Sequence, residues 1–277
     1  MAAGSKERLD VLLVEQGYYD SREKAKSAIM AGLVFVQEER VDKAGTKVDR
    51  ASKITVKGAL HPYVSRGGLK LEKALKAFGI SLEGAVMLDI GASTGGFTDC
   101  ALQHGASYVY ALDVGYNQLD WKLRSDPRVQ VMERTNFRFV QPADLAGPQP
   151  TFASIDVSFI SLGIILPPLH AILPPHGETV ALIKPQFEAG REKVGKSGVV
   201  REPETHREVL QTVLGFAREI GFGIRGLTFS PITGGEGNIE FLAHFTGDGA
   251  APGCMSEQEV EAAVHQVVEQ AADSFRK

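Results

Sequence analysis

The sequence predicts an α/β protein with a mostly parallel sheet and helices on both faces, preceded by a small α+β unit. Three observations carry this. From about residue 85 onward, apolar strand-like runs alternate with helical stretches, the signature of a parallel sheet. One of those runs, Leu88 to Gly91, breaks into a glycine-rich turn and then a helix, as at a ligand-binding switch point. Residues 1–60 carry a separate, compact pattern of two helices and two strands.

In that first unit, Leu9, Leu12 and Leu13 fall at helical spacing and Gly17 stops the helix. Ser21 is an N-cap for a second helix whose apolar face is Ala25, Ala28 and Ile29, closed by Gly32. LVFVQ and KITVK then read as strands around a Lys43–Lys47 turn containing Gly45. His61-Pro62-Tyr63-Val64 reads as a linker, because proline favours an extended chain before it. A main domain is expected over 65–250. It starts with the helix GGLKLEKALKAFGI, followed by AVMLDIG (strand), TGGFTDCALQHG (helix) and YVYALDVG (strand). A mobile segment is expected next, up to VQVME. FASIDVSF, a helix from about 165 to 173, ETVALIKP, an amphipathic helix over 203–221, and strands over 224–229 and 239–245 complete it. In the tail, 251–277, Ser256 and Glu259 match a capping box, and Val260, Val264, Val267, Val268 and Ala271 line one face of a helix.

Composition narrows the function classes. Net charge is −4 with a pI near 6.0, so any nucleic-acid footprint is a local patch. The two cysteines, Cys100 and Cys254, form no CxxC or Cys/His cluster. No metal site is expected, and the chain suits a reducing cytoplasm. MAAGSKERLD lacks the apolar core of a signal peptide. The most apolar stretch, 159–175, contains Pro167, Pro168 and His170 and is no membrane span. The acidic Glu257, Glu261 and Glu269 also argue against a membrane-active tail helix.

The chemistry is expected at LDIGASTGGFTD, 88–99. Its glycines let the backbone approach a ligand, and the helix that follows offers its N-terminus to polar groups. Asp113 ends the next strand about 20 residues on, the position of a ribose-binding acid. Three readings are open at this point. A dinucleotide site wants GxGxxG, and here Ser93 stands in place of the second glycine. A methyl-donor site has no pyrophosphate and tolerates that side chain. A bare structural turn is the third.

The turn GASTGGF is similar to that of FtsJ-like methyltransferases. The chain as a whole resembles the TlyA group, whose members often carry the label hemolysin A. The resemblance rests on SRGGLKLEKAL, LDIGASTGGF, ALDVGYNQLDWKLR, IDVSFISL, IKPQFE and GNIEF, and covers about residues 7–245. It implies a Rossmann-like seven-stranded sheet with an antiparallel last strand, and S-adenosylmethionine as cofactor. It also implies a Lys-Asp-Lys-Glu tetrad, matched here by Lys70, Asp156, Lys184 and Glu240. A ribose hydroxyl is a poor nucleophile until it loses its proton, and a lysine serves as base only where burial or a nearby cation pulls its pKa down. Lys184 is the candidate base and Lys70 the neighbouring cation, with Asp156 and Glu240 as orienters. For the donor, the resemblance points to Gly91, Ser93, Gly95, Gly96, Phe97 and Asp113. It also points to Asn136, at a position that is often acidic in the family.

The first 60 residues resemble the small RNA-binding domain named after ribosomal protein S-four. Arg8, Arg22, Lys24 and Lys26, with Lys43 and Lys47, are the expected phosphate contacts. Gln37-Glu38 replaces the usual Asn-Gly after the strand. The resemblance implies cytidine 2′-O-methylation of ribosomal RNA, in the small subunit, the large subunit or both. The alternatives are a membrane-active hemolysin, a non-catalytic rRNA-binding or assembly factor and, more distantly, a dinucleotide oxidoreductase. The modified nucleotide, the choice between naked RNA and assembled subunits, and the oligomeric state are left open by the sequence.

Overall fold

A computed structural model describes the chain except for residues 1–5, 20, 31, 57–60, 196, 235–236 and 277. Contacts divide it into two units, Met1–Pro62 and Tyr63–Lys277.

The first unit runs β1 (Lys6–Arg8), α1 (Leu9–Glu15), α2 (Arg22–Met30), β2 (Val34–Val36), β3 (Glu39–Arg40), β4 (Lys47–Asp49) and β5 (Ile54–Val56). The two expected helices are present, and the two expected strands pair antiparallel as β2 and β5. Arg8 ends a strand, and the first helix starts at Leu9. That strand, β1, pairs with β4, and β3 pairs with β2. These extra strands are two or three residues long, too short to show an alternating period in the sequence. Gln37 and Glu38 join β2 to β3 with φ of 50° and 73°. A two-residue hairpin turn of this hand needs positive φ at both positions, which is why Asn-Gly is the favoured pair. Leu9, Leu12, Leu13, Ala25, Ile29 and Val34 form the core.

The second unit runs α3 (Gly68–Phe78), β6 (Val86–Ile90), α4 (Gly96–Gln103), β7 (Tyr108–Leu112), α5 (Trp121–Arg124), β8 (Val129–Met132), β9 (Phe152–Ile155), α6 (Leu162–Ile172), β10 (Glu178–Ile183), α7 (Pro185–Glu188), α8 (Pro203–Glu219), β11 (Gly223–Phe229), β12 (Phe241–Thr246) and α9 (Glu257–Phe275). Seven strands form one sheet in the order β11-β12-β10-β9-β6-β7-β8, and only β12, with its neighbours β10 and β11, breaks the parallel pattern. Alternation along β6 supplies both faces: Leu88 and Ile90 enter the core under α6, α8 and α9, and Met87 enters the core under α3 and α4. On α8, Val209, Leu210, Val213, Leu214 and Ala217 are buried at helical spacing. Truncating a core residue such as Leu214 to alanine costs about 2–5 kcal/mol.

Three details differ from the sequence expectation. Within the expected linker, Tyr63 is buried in the second unit and the Val64 N–H donates to Asp99 Oδ2 at 2.8 Å. The segment expected to be mobile contains α5, capped by Asp120, which accepts from the Lys122 N–H at 2.9 Å. Glu133 holds the same segment: burial pushes its carboxyl up, but the Asn117, Gln118 and Leu119 amides and the Arg124 guanidinium bring it down to about 2. Helix α6 starts three residues earlier than expected, at Leu162, because Ser161 caps it. It continues through Pro167 and Pro168. The tail helix has its capping box, and its apolar face packs on α8 and β11.

Candidate active site

The catalytic candidates sit at one edge of the sheet. Asp156 follows β9 and Lys184 follows β10, both leaving the carboxyl ends of parallel strands. Glu240 precedes β12, which runs the other way, so its start lies at the same edge. Lys70 is carried by α3, whose N-terminal glycines approach the donor turn closely: a Cβ on Gly96 would collide with Ser65 Oγ and the Gly68 nitrogen.

These four side chains converge. Lys184 Nζ lies 2.6 Å from Asp156 Oδ1 and donates to Ser158 Oγ at 3.0 Å. Lys70 Nζ lies 3.6 Å from Asp156 Oδ2 and 2.7 Å from Glu240 Oε2. The latter contact is electrostatic, off the angle of a good hydrogen bond. Side-chain exposure is 9% for each lysine, 19% for Asp156 and 3% for Glu240. Two cations and two carboxylates balance, which is what allows four charged groups to be buried together.

The glycine turn is built mainly from backbone. Gly91 has φ of 88°, and a Cβ there would meet the Asp156 carbonyl oxygen. Ser93 has φ of 49° and donates its N–H to Asp113 Oδ2 at 2.8 Å, while Asp113 Oδ1 accepts from the Gly115 N–H at 2.7 Å. Behind the turn, Asp89 is fully buried and accepts from Thr98 Oγ1 and Ser154 Oγ, each at 2.7 Å. Burial pushes its carboxyl up to about 6 against those two bonds.

A cavity of about 780 Å³ brings the two groups together. Gly91, Ser93, Gly96 and Phe97 line it, and so do Lys70, Asp156, Lys184 and Glu240. That volume suits a ligand of nucleoside size. The glycine turn, in which Ser93 lines the cavity, also fits an adenosyl group better than a pyrophosphate. The other expected donor residues lie outside its lining. Gly95, at φ 98°, faces Leu123 and Leu119. Asp113 organises the turn from behind, and Asn136 caps its own 3-10 turn, accepting from the Arg138 N–H at 3.2 Å. The lining also holds residues to which sequence reasoning gave no role: Ser65, Ser158, Phe159, Gln186, Phe187 and Asn238. Phe159 is 90% exposed at φ 63° and its ring lies 4.9 Å from that of Phe187. Ser158 and Asn238 fall inside the motifs IDVSF and GNIEF, but only their contacts reveal them. Asn238 is buried, bonding the Gly198 carbonyl and the Val200 N–H. Among the described residues, no group of three or more metal-ligating side chains occurs, and no helix is long and apolar enough to cross a membrane.

In the first unit, Arg8 Nε and Arg22 Nη2 both bond the buried Asp10, at 2.9 and 2.8 Å, while remaining 43% and 49% exposed. The bond from Arg8 holds the Asp10 carboxyl at about 2, against burial and together with Arg22. Lys24, Lys43 and Lys47 are exposed and Lys26 is half-buried.

The FtsJ-like methyltransferase profile matches residues 63–246, and the S4 domain profile matches residues 7–54. Bacillus subtilis YqxC, provisionally named an rRNA methyltransferase, is 58% identical over 98% of this chain and 96% of its own length. The Mycobacterium tuberculosis 16S/23S rRNA (cytidine-2′-O)-methyltransferase TlyA is 40% identical over 94% of this chain and 97% of its own. A Streptococcus thermophilus structure, provisionally named a hemolysin, is 54% identical with a TM-score of 0.77, covering 99% of this chain and 98% of that one. With the sheet, the glycine turn and both profiles in agreement, this chain belongs to the FtsJ-like methyltransferase family, as a TlyA relative with an S4 domain ahead of its methyltransferase domain.

Proposed function

We propose that this chain transfers a methyl group from S-adenosylmethionine to the ribose 2′-hydroxyl of a cytidine in ribosomal RNA. The observation that carries the reading is the convergence of Lys70, Asp156, Lys184 and Glu240 in the cavity that the glycine turn also lines. The rRNA (cytidine-2′-O)-methyltransferase name of the M. tuberculosis relative supplies the substrate class.

The bound donor supplies an electrophilic methyl group, and this chain's residues prepare the nucleophile. Lys184, once its own proton has passed to solvent, takes the proton of the 2′-hydroxyl as the new C–O bond forms. Asp156, 2.6 Å away, stabilises the ammonium so formed. Glu240 holds Lys70, and Lys70 with Asp156 keeps the amine of Lys184 in line with the hydroxyl. The exposed Phe159 ring, packed on the half-buried Phe187, suits stacking on an unpaired base next to the reacting ribose. The N-terminal domain, residues 1–60, adds sequence-independent phosphate contacts through Arg8, Arg22, Lys24 and Lys26. The work belongs in the cytoplasm, where ribosomes are found.

The test is methyl transfer from labelled donor to ribosomal subunits and to naked rRNA, followed by mapping of 2′-O-methyl marks. Incorporation at a cytidine ribose is expected. Transfer to a base nitrogen or carbon, or no transfer with donor bound, refutes the reading. The hemolysin name of the S. thermophilus structure favours a second reading, membrane activity. Leakage of anionic vesicles at nanomolar protein would support it, and intact vesicles would dismiss it.

A further inference from the structure

We infer that Glu188 is a positioning residue for this reaction: its carboxyl group clasps the loop carrying Asp156 and Ser158 to the short helix that begins at Lys184. The inference rests on the proposed methyl transfer.

Helix α7 is four residues long, with Lys184 at its N-cap and Glu188 at its last position. One turn has no stability of its own, so its place depends on tertiary anchors. The loop opposite runs from Asp156 to Ser161, between β9 and α6. At one end of the pair, Lys184 reaches Asp156 at 2.6 Å and Ser158 at 3.0 Å. At the other end, Ser161 Oγ donates to Glu188 Oε2 at 2.7 Å and the Leu162 N–H donates to Glu188 Oε1 at 2.8 Å. The loop is therefore tied twice to the same turn of helix, once through the reacting lysine and once through Glu188.

Two features say that the second tie is more than a helix cap. Ser161 already caps α6, accepting from the Gly163 N–H at 3.0 Å, so the acid is not needed to start that helix. The loop also contains Phe159 at φ 63°, a conformation that a bulky side chain adopts only when its surroundings impose it. A clasp on the loop supplies that constraint. Glu188 does not line the cavity, so it acts through Lys184 and Asp156 and not on substrate.

Burial raises the Glu188 carboxyl above the ordinary glutamate range, against the bonds from Leu162 and Ser161. The clasp does not need the negative charge. As a neutral acid, Glu188 still accepts from the Leu162 N–H, and its own proton is donated to Ser161 Oγ. Glutamine reproduces that pattern, with its amide nitrogen as the donor.

The experiment compares full-length wild type, Glu188→Ala and Glu188→Gln. Methylation of ribosomal subunits is followed at saturating donor, donor binding by calorimetry, and folding by thermal melting. Glu188→Ala is expected to lower kcat by about 10-fold or more through misplacement of the lysine, with the donor Kd within about twofold of wild type. Glu188→Gln is expected to keep at least about half the wild-type kcat, since its amide restores both bonds. A smaller fall in Glu188→Ala, a loss that appears in donor Kd instead of kcat, or a glutamine variant as slow as alanine overturns the inference. If Glu188→Ala does not fold, Glu188→Asp replaces it under the same criteria, because its carboxyl stops one methylene short. A wild-type protein that binds donor and methylates no RNA refutes the underlying reading, and this inference with it.

Discussion

Each unit of this protein sets two cations against buried carboxylate, and the two clusters differ in whether the cations are hidden with the acid. In the N-terminal unit the acid is buried: Asp10 is 0% exposed, while Arg8 and Arg22 stay 43% and 49% exposed. In the methyltransferase unit the cations are buried, with Lys70 and Lys184 each 9% exposed. Arginine keeps its proton under all ordinary conditions, so an exposed pair fixed by a hidden acid is a permanent positive surface, suited to phosphate. The buried lysines are instead matched by carboxylates and shielded from water, so their charge is spent inside the cavity and adds little to a phosphate surface. Under the proposed function, exposure more than residue type separates the binding cluster from the reacting one.

The sharpest way to break this comparison is to exchange the consequences. Lys184→Ala is expected to lower the single-turnover methylation rate by about 10²–10⁴-fold, the usual worth of a general base. RNA affinity, measured by filter binding, is expected to stay within about threefold, because one buried lysine adds little to a phosphate surface. A Lys184→Ala enzyme near the wild-type rate would end its role as base. A large loss of RNA affinity would move Lys184 to the binding side of the comparison.

A third buried acid sharpens the contrast. Asp10 sits against two guanidiniums and titrates at about 2, whereas Asp89, bonded by two hydroxyls and the Thr98 backbone, titrates at about 6. The signs are opposite. The folded-state pKa of Asp10 lies below its unfolded value, so its stabilisation is present above about pH 4 and is lost as pH falls toward 2. That of Asp89 is raised, so its contribution is most favourable below about pH 4 and declines as pH rises to 6, by about 3 kcal/mol in all. His206, which burial makes harder to protonate, opposes this trend on acidification, so the reading must be differential. Denaturant unfolding of wild type and Asp89→Asn from pH 4 to 7 is expected to show the wild type losing stability relative to the variant as pH rises. A constant difference would mean that Asp89 does not titrate in this window.

What was legible in the sequence divides along similar lines. The glycine turn is local: Gly91, Ser93, Gly96 and Phe97 stand close together in the chain and line one cavity. The capping box of the tail helix was equally plain, because Ser256 and Glu259 are one turn apart. The tetrad was not, since Lys70 and Glu240 lie at opposite ends of the domain sequence and only resemblance joined them in advance. Ser158 and Glu188 were invisible for the same reason: their roles are contacts between a loop and a helical turn that no period or spacing encodes. Asn136, suggested by resemblance alone, has a contact that no spacing encodes: its side-chain oxygen caps its own turn.

On the binding side, Arg22→Ala is expected to weaken RNA affinity by about 10-fold or less and to flatten the log Kd against log salt slope by about 0.7–0.9. Methylation at saturating RNA should match wild type. An unchanged slope would mean that Asp10 neutralises the arginine for this purpose and that the phosphate surface lies elsewhere in the unit.

The smallest effect tests whether the binding unit can be tuned by itself. Glu38 holds φ of 73° at the second position of the hairpin turn between β2 and β3, where a non-glycine residue carries about 1–2 kcal/mol of strain. Glycine relieves that strain but adds freedom to the unfolded chain, about 0.5–1 kcal/mol, so Glu38→Gly is expected to stabilise the unit by about 0.5 kcal/mol. The same change deletes an exposed negative charge from the hairpin and leaves the cavity of the methyltransferase unit untouched. Hydrogen exchange at Val36 and Glu39 should therefore slow and RNA affinity should rise, by about twofold each, with kcat unchanged. Faster exchange would mean that the glutamate is held in the left-handed region by contacts worth more than the strain. A change in kcat would show that charge on the binding unit reaches the buried lysines, and the division between exposed and buried cations would lose its meaning.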